Sequence, residues 1–136
     1  MSDIIKEIKK EWRGYRFLEI PSGLVISGKN AEQNEKLVKK FIGKNIIIMH
    51  TAKPGSPFSV ILGKKIKRGD LRKVAIFTAK YSKDWKKNKG DVIIHKFKGE
   101  DVFKRKNMKI GTFGVKKFKE ILIKKEEIEK FEENGK

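Results

Sequence analysis

An α+β domain, with a mixed or mostly antiparallel sheet packed with helices, is expected from three features of this 136-residue chain. Segments with apolar residues at helical spacing alternate with short runs rich in Ile, Val and Phe. The strand-like runs near both ends are separated by hairpin-length turns, which argues against a doubly wound parallel sheet. The length supports one core of ordinary size rather than two.

Residues 2–13 read as a helix, with Ser2 as N-cap and Ile4, Ile5, Ile8 and Trp12 on one stripe that should cover a sheet. Residues 15–20 and 24–27 read as strands joined at Pro21-Ser22-Gly23, where proline sets φ and glycine accepts a positive φ. Asn30 as N-cap, with Gln33 three residues on as in a capping box, predicts a helix over 31–42. Its apolar face is Leu37, Val38 and Phe41, with Lys36, Lys39 and Lys40 toward the other side. The run Ile46-Ile47-Ile48-Met49 predicts a central strand covered on both faces, followed by a turn-rich loop over 51–57 and a strand over 58–62.

A third helix is predicted from an N-cap at Asp70 to Trp85 or Lys86, with Leu71, Val74, Ala75, Thr78, Tyr81, Ser82 and Trp85 along one face. Ile76 and Phe77 stray from that stripe, so burial of the helix middle on more than one side is expected. Residues 91–97, 110–115 and 120–123 read as strands, and the chain from Lys125 onward as helical or frayed. The expected division is a globular unit over residues 1–125 and an acidic tail over 126–136.

Lys and Arg number 35 against 17 Asp and Glu, a net charge of +18, while 38% hydrophobic residues suffice for a folded core. Residues 126–136 hold five Glu and two Lys, net −3, which leaves +21 on the rest. A Lys-rich bias of genome or temperature should raise Glu as well, and here the acids lag by half. A polyanion, with nucleic acid ahead of a membrane surface, is the partner such charge suits, because neutralised phosphates release counterions. Cysteine is absent and only His50 and His95 carry imidazole, so disulfides, thiol nucleophiles, a metal site and a cofactor are not expected. No apolar run approaches the roughly 18 residues of a membrane span, and a cytoplasmic location is expected.

Four segments carry chemistry suited to a phosphate or a base. Gly28-Lys29-Asn30 leads into Gln33 and Asn34 at a helix start, where backbone N–H groups, side-chain amides and the helix dipole meet, although the same residues also serve as a cap. His50 opens a loop with Lys53, Pro54, Gly55 and Ser56; a histidine at a strand end is more often a satisfied structural residue, and the functional alternative is that this loop touches a phosphate backbone or a base. Lys80, Lys83, Lys86 and Lys87 surround Tyr81 and Trp85, a basic and aromatic pattern fit for stacking, while helical spacing points both rings at the core. Lys104-Arg105-Lys106 adds a basic loop. No paired carboxylates, HExxH, GxSxG or nucleotide-binding glycine loop is present, so a binding module is favoured over an enzyme.

The ordered set Trp12, Tyr15-Arg16-Phe17, Gly23 through Glu35, His50 with Pro54-Gly55-Ser56-Pro57-Phe58, Ala75 through Lys86, and Gly111-Thr112-Phe113 resembles the NFACT-R domain, also called DUF814, over about residues 12–118. The resemblance implies an RNA-binding domain, known chiefly as a module of larger proteins that bind the large ribosomal subunit and tRNA in ribosome-associated quality control. It thus implies tRNA or ribosomal RNA as partner and Gly28, Lys29, Asn30, Gln33, Asn34, His50, Pro54, Gly55, Ser56, Tyr81, Ser82 and Trp85 as family positions. The other domains of those larger proteins have no counterpart here, so a stand-alone RNA-binding adaptor is expected, acting alone on structured RNA or complementing a protein partner that supplies them. Two further readings stay open: an RNA-modifying or RNA-cleaving enzyme with His50 as acid–base, and a general DNA-binding protein.

Overall fold

Successive residues of the inner strands point to opposite sides, and both sides carry large apolar groups, so the sheet must be covered twice. The computed structural model, which describes residues 2–134, shows that arrangement. In chain order it comprises α1 (Ser2–Glu11), β1 (Arg16–Ile20), β2 (Gly23–Ser27), α2 (Ala31–Phe41), β3 (Ile47–Thr51), β4 (Ser59–Leu62), α3 (Arg68–Lys80), α4 (Lys83–Asn88) and β5 (Val92–Lys98). A 3₁₀ turn, Gly99–Asp101, leads to β6 (Val102–Phe103), β7 (Gly114–Val115), β8 (Lys119–Ile123) and α5 (Lys125–Asn134).

The main sheet has the order β1-β2-β4-β3-β5-β8 with every neighbouring pair antiparallel. Val25, Met49, Ile61, Ile94 and Ile123 face a layer made by α3, α4 and α5, which contributes Val74, Ala75, Phe77, Trp85 and Ile128. Their chain neighbours Ile26, Ile48 and Val60 face the other way, onto Leu37, Val38 and Phe41 of α2 and onto Trp12 and Tyr15. The Ile46–Met49 run is therefore central and doubly covered, as its composition predicts. α3 is indeed buried on more than one side, with Val74, Ala75, Phe77, Thr78 and Ala79 all enclosed.

Four expectations need correction. Gly23 takes no positive φ; the turn needs glycine there because a side chain would strike the Leu62 carbonyl of the neighbouring strand. Asp70 is not an N-cap: α3 begins two residues earlier, and the Asp70 carboxylate accepts from the Ser22 hydroxyl and, at 3.2 Å, from the Ser22 N–H, tying down the β1–β2 turn. The helix does not run on to Trp85, because the Ser82 hydroxyl donates to the Ala79 carbonyl at 2.6 Å and accepts from the Trp85 N–H at 3.1 Å. That one side chain closes α3 and caps α4. Of residues 110–115 only Gly114 and Val115 form a strand, in a separate two-stranded ribbon with β6, since Gly111 turns the chain with φ of +81°.

The segment from Lys125 forms α5, with Ile128 buried and Phe131 packed on the same cluster. Arg72 donates to Glu127 at 2.6 and 2.8 Å and to the Leu122 carbonyl at 3.1 Å, and the Trp85 indole N–H donates to Glu132 at 3.0 Å. The Ser2 side chain lies outside the described residues. No helix among the described residues is long and apolar enough to cross a membrane.

If α5 closes the core, Ile128→Ala leaves a cavity with little chance of collapse. The expected loss is about 2–5 kcal/mol in urea denaturation, with an unchanged m-value. A change below about 0.5 kcal/mol would show that α5 is only laid on the surface.

Candidate functional site

At the start of α2 the Asn30 side-chain Oδ1 accepts the Gln33 N–H at 2.9 Å, and Gln33 Oε1 accepts the Lys29 N–H at 2.9 Å. The reciprocal cap therefore forms, reaching one residue further back than the usual partner. Asn34, one turn in, is buried and faces the loop that follows β3. Its amide donates to the Ser56 carbonyl at 3.3 Å and accepts the Phe58 N–H at 3.2 Å. A side chain at Gly28 would strike that amide, so glycine is the residue that lets α2 and the loop close up.

The loop itself is knitted by short-range bonds. Thr51 donates to the Lys53 carbonyl at 2.6 Å and shares a hydrogen bond with the Ser56 hydroxyl. Gly55 takes φ of +87°, and its carbonyl accepts the Lys83 N–H at 3.2 Å at the start of α4. The His50 ring lies flat on Phe58 at 3.9 Å, with Nε2 3.2 Å from the Ser56 carbonyl. Burial lowers its pKa to about 4, only partly offset by the Ser56 carbonyl and reinforced by His95. At neutral pH the ring is uncharged, and facing a carbonyl its Nε2 must be the protonated nitrogen that donates.

A second knot fastens the connection between β6 and β7 to α2. The Lys104 ammonium donates to Glu35 at 2.9 Å, to the Lys109 carbonyl at 2.6 Å and to the Thr112 carbonyl at 2.8 Å. Glu35 also accepts the Gly111 N–H at 2.7 Å and pairs with Lys39 at 3.1 Å. Burial raises the Glu35 pKa, but the hydrogen bonds from Lys104, Gly111 and Lys39 outweigh it and hold the carboxyl at about 2.

These segments enclose a cleft of about 800 Å³. Of the sequence-predicted residues, Lys29, Asn30, Asn34, His50, Gly55, Ser56, Lys83 and Lys86 line it. The others lie elsewhere. Gln33 caps α2, Lys53 pairs with Asp84 at 3.5 Å, and Lys80 donates to the Tyr81 hydroxyl at 3.2 Å. Lys87, Arg105 and Lys106 are exposed away from the lining, Arg105 over the Phe103 ring at 5.0 Å. Lys104 has three protons and three internal acceptors, which leaves none for a ligand. Trp85 is 2% exposed and packs inside.

Sequence reasoning missed Arg16, His95 and Phe118, and weighed Tyr81 without selecting it. All four line the cleft, with the Arg16 guanidinium 3.8 Å over the Tyr81 ring. Arg16 carries no local signal, because its position depends on β1 pairing far from α4. Phe118 does carry one, as an aromatic residue among Lys116, Lys117 and Lys119. No carboxylate lines the cleft among the described residues. Nor is any group of three or more His, Asp or Glu among the described residues placed to hold a metal ion.

The NFACT protein RNA binding domain family matches this chain over residues 13–117. The archaeal Rqc2 homologue aRqcH of Methanocaldococcus jannaschii is 36% identical over 104 residues, which cover 73% of this chain and 16% of that protein. The chain thus spans about a sixth of the length of that relative. The C-terminal part of the fibronectin/fibrinogen-binding protein from Streptococcus suis shares the fold, with a TM-score of 0.65 at 16% identity over 94% of this chain and 58% of that one.

The Glu35 knot should be visible in the pH dependence of stability. Because its folded-state pKa is depressed, Glu35 contributes stability above about 4.5, which disappears as pH falls toward 2. Glu35→Gln should cost about 2 kcal/mol at pH 7, with the gap to the parent protein narrowing between pH 4.5 and 2 in stepwise urea denaturation. A gap independent of pH would rule out the ionised knot.

Proposed function

The chain belongs to the NFACT protein RNA binding domain family, and from that membership we propose that the cleft at the start of α2 is its RNA-contacting face. The observation that carries this reading is the charge of the lining. Arg16 from β1, Lys29 from the turn before α2, and Lys83 and Lys86 from α4 all come to it, and no carboxylate accompanies them among the described residues. A concave surface of one sign concentrates phosphate, and the start of α2 adds the positive end of its dipole.

The RNA is tRNA or ribosomal RNA, and the setting is ribosome-associated quality control in the cytoplasm. This rests on the family and on the relative named as an Rqc2 homologue, whose further length corresponds to domains that a partner or a longer chain would supply. The role is binding rather than turnover. In support, His50 is neutral at physiological pH and its Nε2 proton is engaged by the Ser56 carbonyl, a poor position for an acid–base group.

The test is a titration of tRNA, single-stranded RNA and duplex DNA across a salt series. The combined substitution Lys29→Ala, Lys83→Ala, Lys86→Ala should weaken tRNA binding and flatten the slope of log K against log salt by about 2, from three phosphates at roughly 0.7 each. Lys53→Ala, whose ammonium already faces Asp84, should leave the slope nearly unchanged. An unaltered slope in the triple variant would place the phosphates elsewhere, and equal affinity for duplex DNA would mark a general polyanion binder.

A further inference from the structure

His50 and His95 sit opposite each other across the β3–β5 ladder, and each imidazole has a phenyl ring stacked on it. For His50 that ring is Phe58, 3% exposed and met edge-on by Phe97 and Phe113. This column is closed. For His95 the ring is Phe118, at 4.1 Å and 24°, and it is 48% exposed at the cleft. The second column is built like the first and ends open.

The surroundings of the open end are those of a strand of phosphates and bases. Lys116, Lys117 and Lys119 beside Phe118 are all exposed. Ile93 and Leu122, paired across β5 and β8, are also exposed, on the side of the sheet that carries His95, since Ile94 and Ile123 point into the opposite layer. The near carboxylate, Glu120, is held by His95 Nε2 at 3.3 Å. An aromatic face in a field of lysines, continuous with a basic cleft, differs from a protein-docking patch, which is depleted of lysine at its centre.

Resting on the cleft reading above, we propose that Phe118 is a stacking platform for an unpaired RNA base, which makes the cleft select a loop, bulge or single-stranded end over a continuous duplex. A base within a duplex has both faces covered by its neighbours, so an exposed phenyl ring has nothing to stack on. An unpaired base offers a free face, and placed on Phe118 it extends the His95–Phe118 column by one layer. Every base has such a face, so the preference concerns strandedness and not sequence.

The experiment uses an oligoribonucleotide containing 2-aminopurine, single-stranded or annealed to its complement, whose fluorescence falls when the base stacks. It is titrated into the full chain, into Phe118→Leu, into Phe118→Trp and into the triple lysine variant, with thermal melts establishing that each is folded. Phe118→Leu should lose the quenching and bind the single strand about ten-fold more weakly, Phe118→Trp should retain both, and duplex affinity should be unchanged in either. Quenching and affinity that survive in Phe118→Leu while the lysine variant fails to bind would overturn the platform and leave the cleft standing. Binding that survives in the lysine variant as well would remove the cleft reading itself. Loss of self-association in Phe118→Leu, seen by sedimentation with RNA affinity intact, would assign the ring to a protein contact and overturn the proposal.

Discussion

The Asn34 amide is the interaction on which the site depends. It sits on α2, yet both its bonds go to the loop after β3, one to the Ser56 carbonyl and one to the Phe58 N–H. A buried amide with either bond missing is expensive, so the helix and the loop have one relative position at which both are satisfied. Phe58 is placed by that constraint, His50 stacks on Phe58, and Ser56 is presented to His50. The floor of the cleft follows from one side chain that no ligand need touch.

Acidic residues complete the picture by where they are used. Glu35 holds the β6–β7 connection, Asp70 the first hairpin, Asp84 faces Lys53, and Glu127 and Glu132 anchor α5 to Arg72 and Trp85. Each is a fastening between elements distant in sequence. These carboxylates thus serve the fold away from the cleft lining, and among the described residues the cations facing the cleft have no carboxylate partner that would compete with phosphate.

Much of this was legible in the chain because it is local. Asn30 and Gln33 cap a helix through bonds three and four residues long, and the Ile46–Met49 run announces a doubly covered strand by composition alone. What misled was a polar residue whose partner is remote. Asp70 resembles an N-cap until Ser22, 48 positions away, claims its carboxylate. Lys104 reads as one of three exposed cations, and only the folding of its own loop onto Glu35 turns it inward. Ser82 lies on the apolar stripe of a helix that its own hydroxyl brings to a halt.

Most of the cleft wall comes from four stretches of chain, around residues 28–34, 50–58, 81–86 and 110–118, and Arg16 of β1 and His95 and Phe97 of β5 join them. β5 and β8 form one side of the sheet, and β8 pairs only with β5. Few of the necessary contacts are between sequence neighbours, which raises the contact order and slows folding. The first ninety or so residues carry all four of the cleft's Lys and Arg residues but neither the His95–Phe118 column nor the strand that seats it. The complete surface therefore requires β8 at the edge of the sheet, since it joins cations from before residue 90 to the His95–Phe118 column from after it.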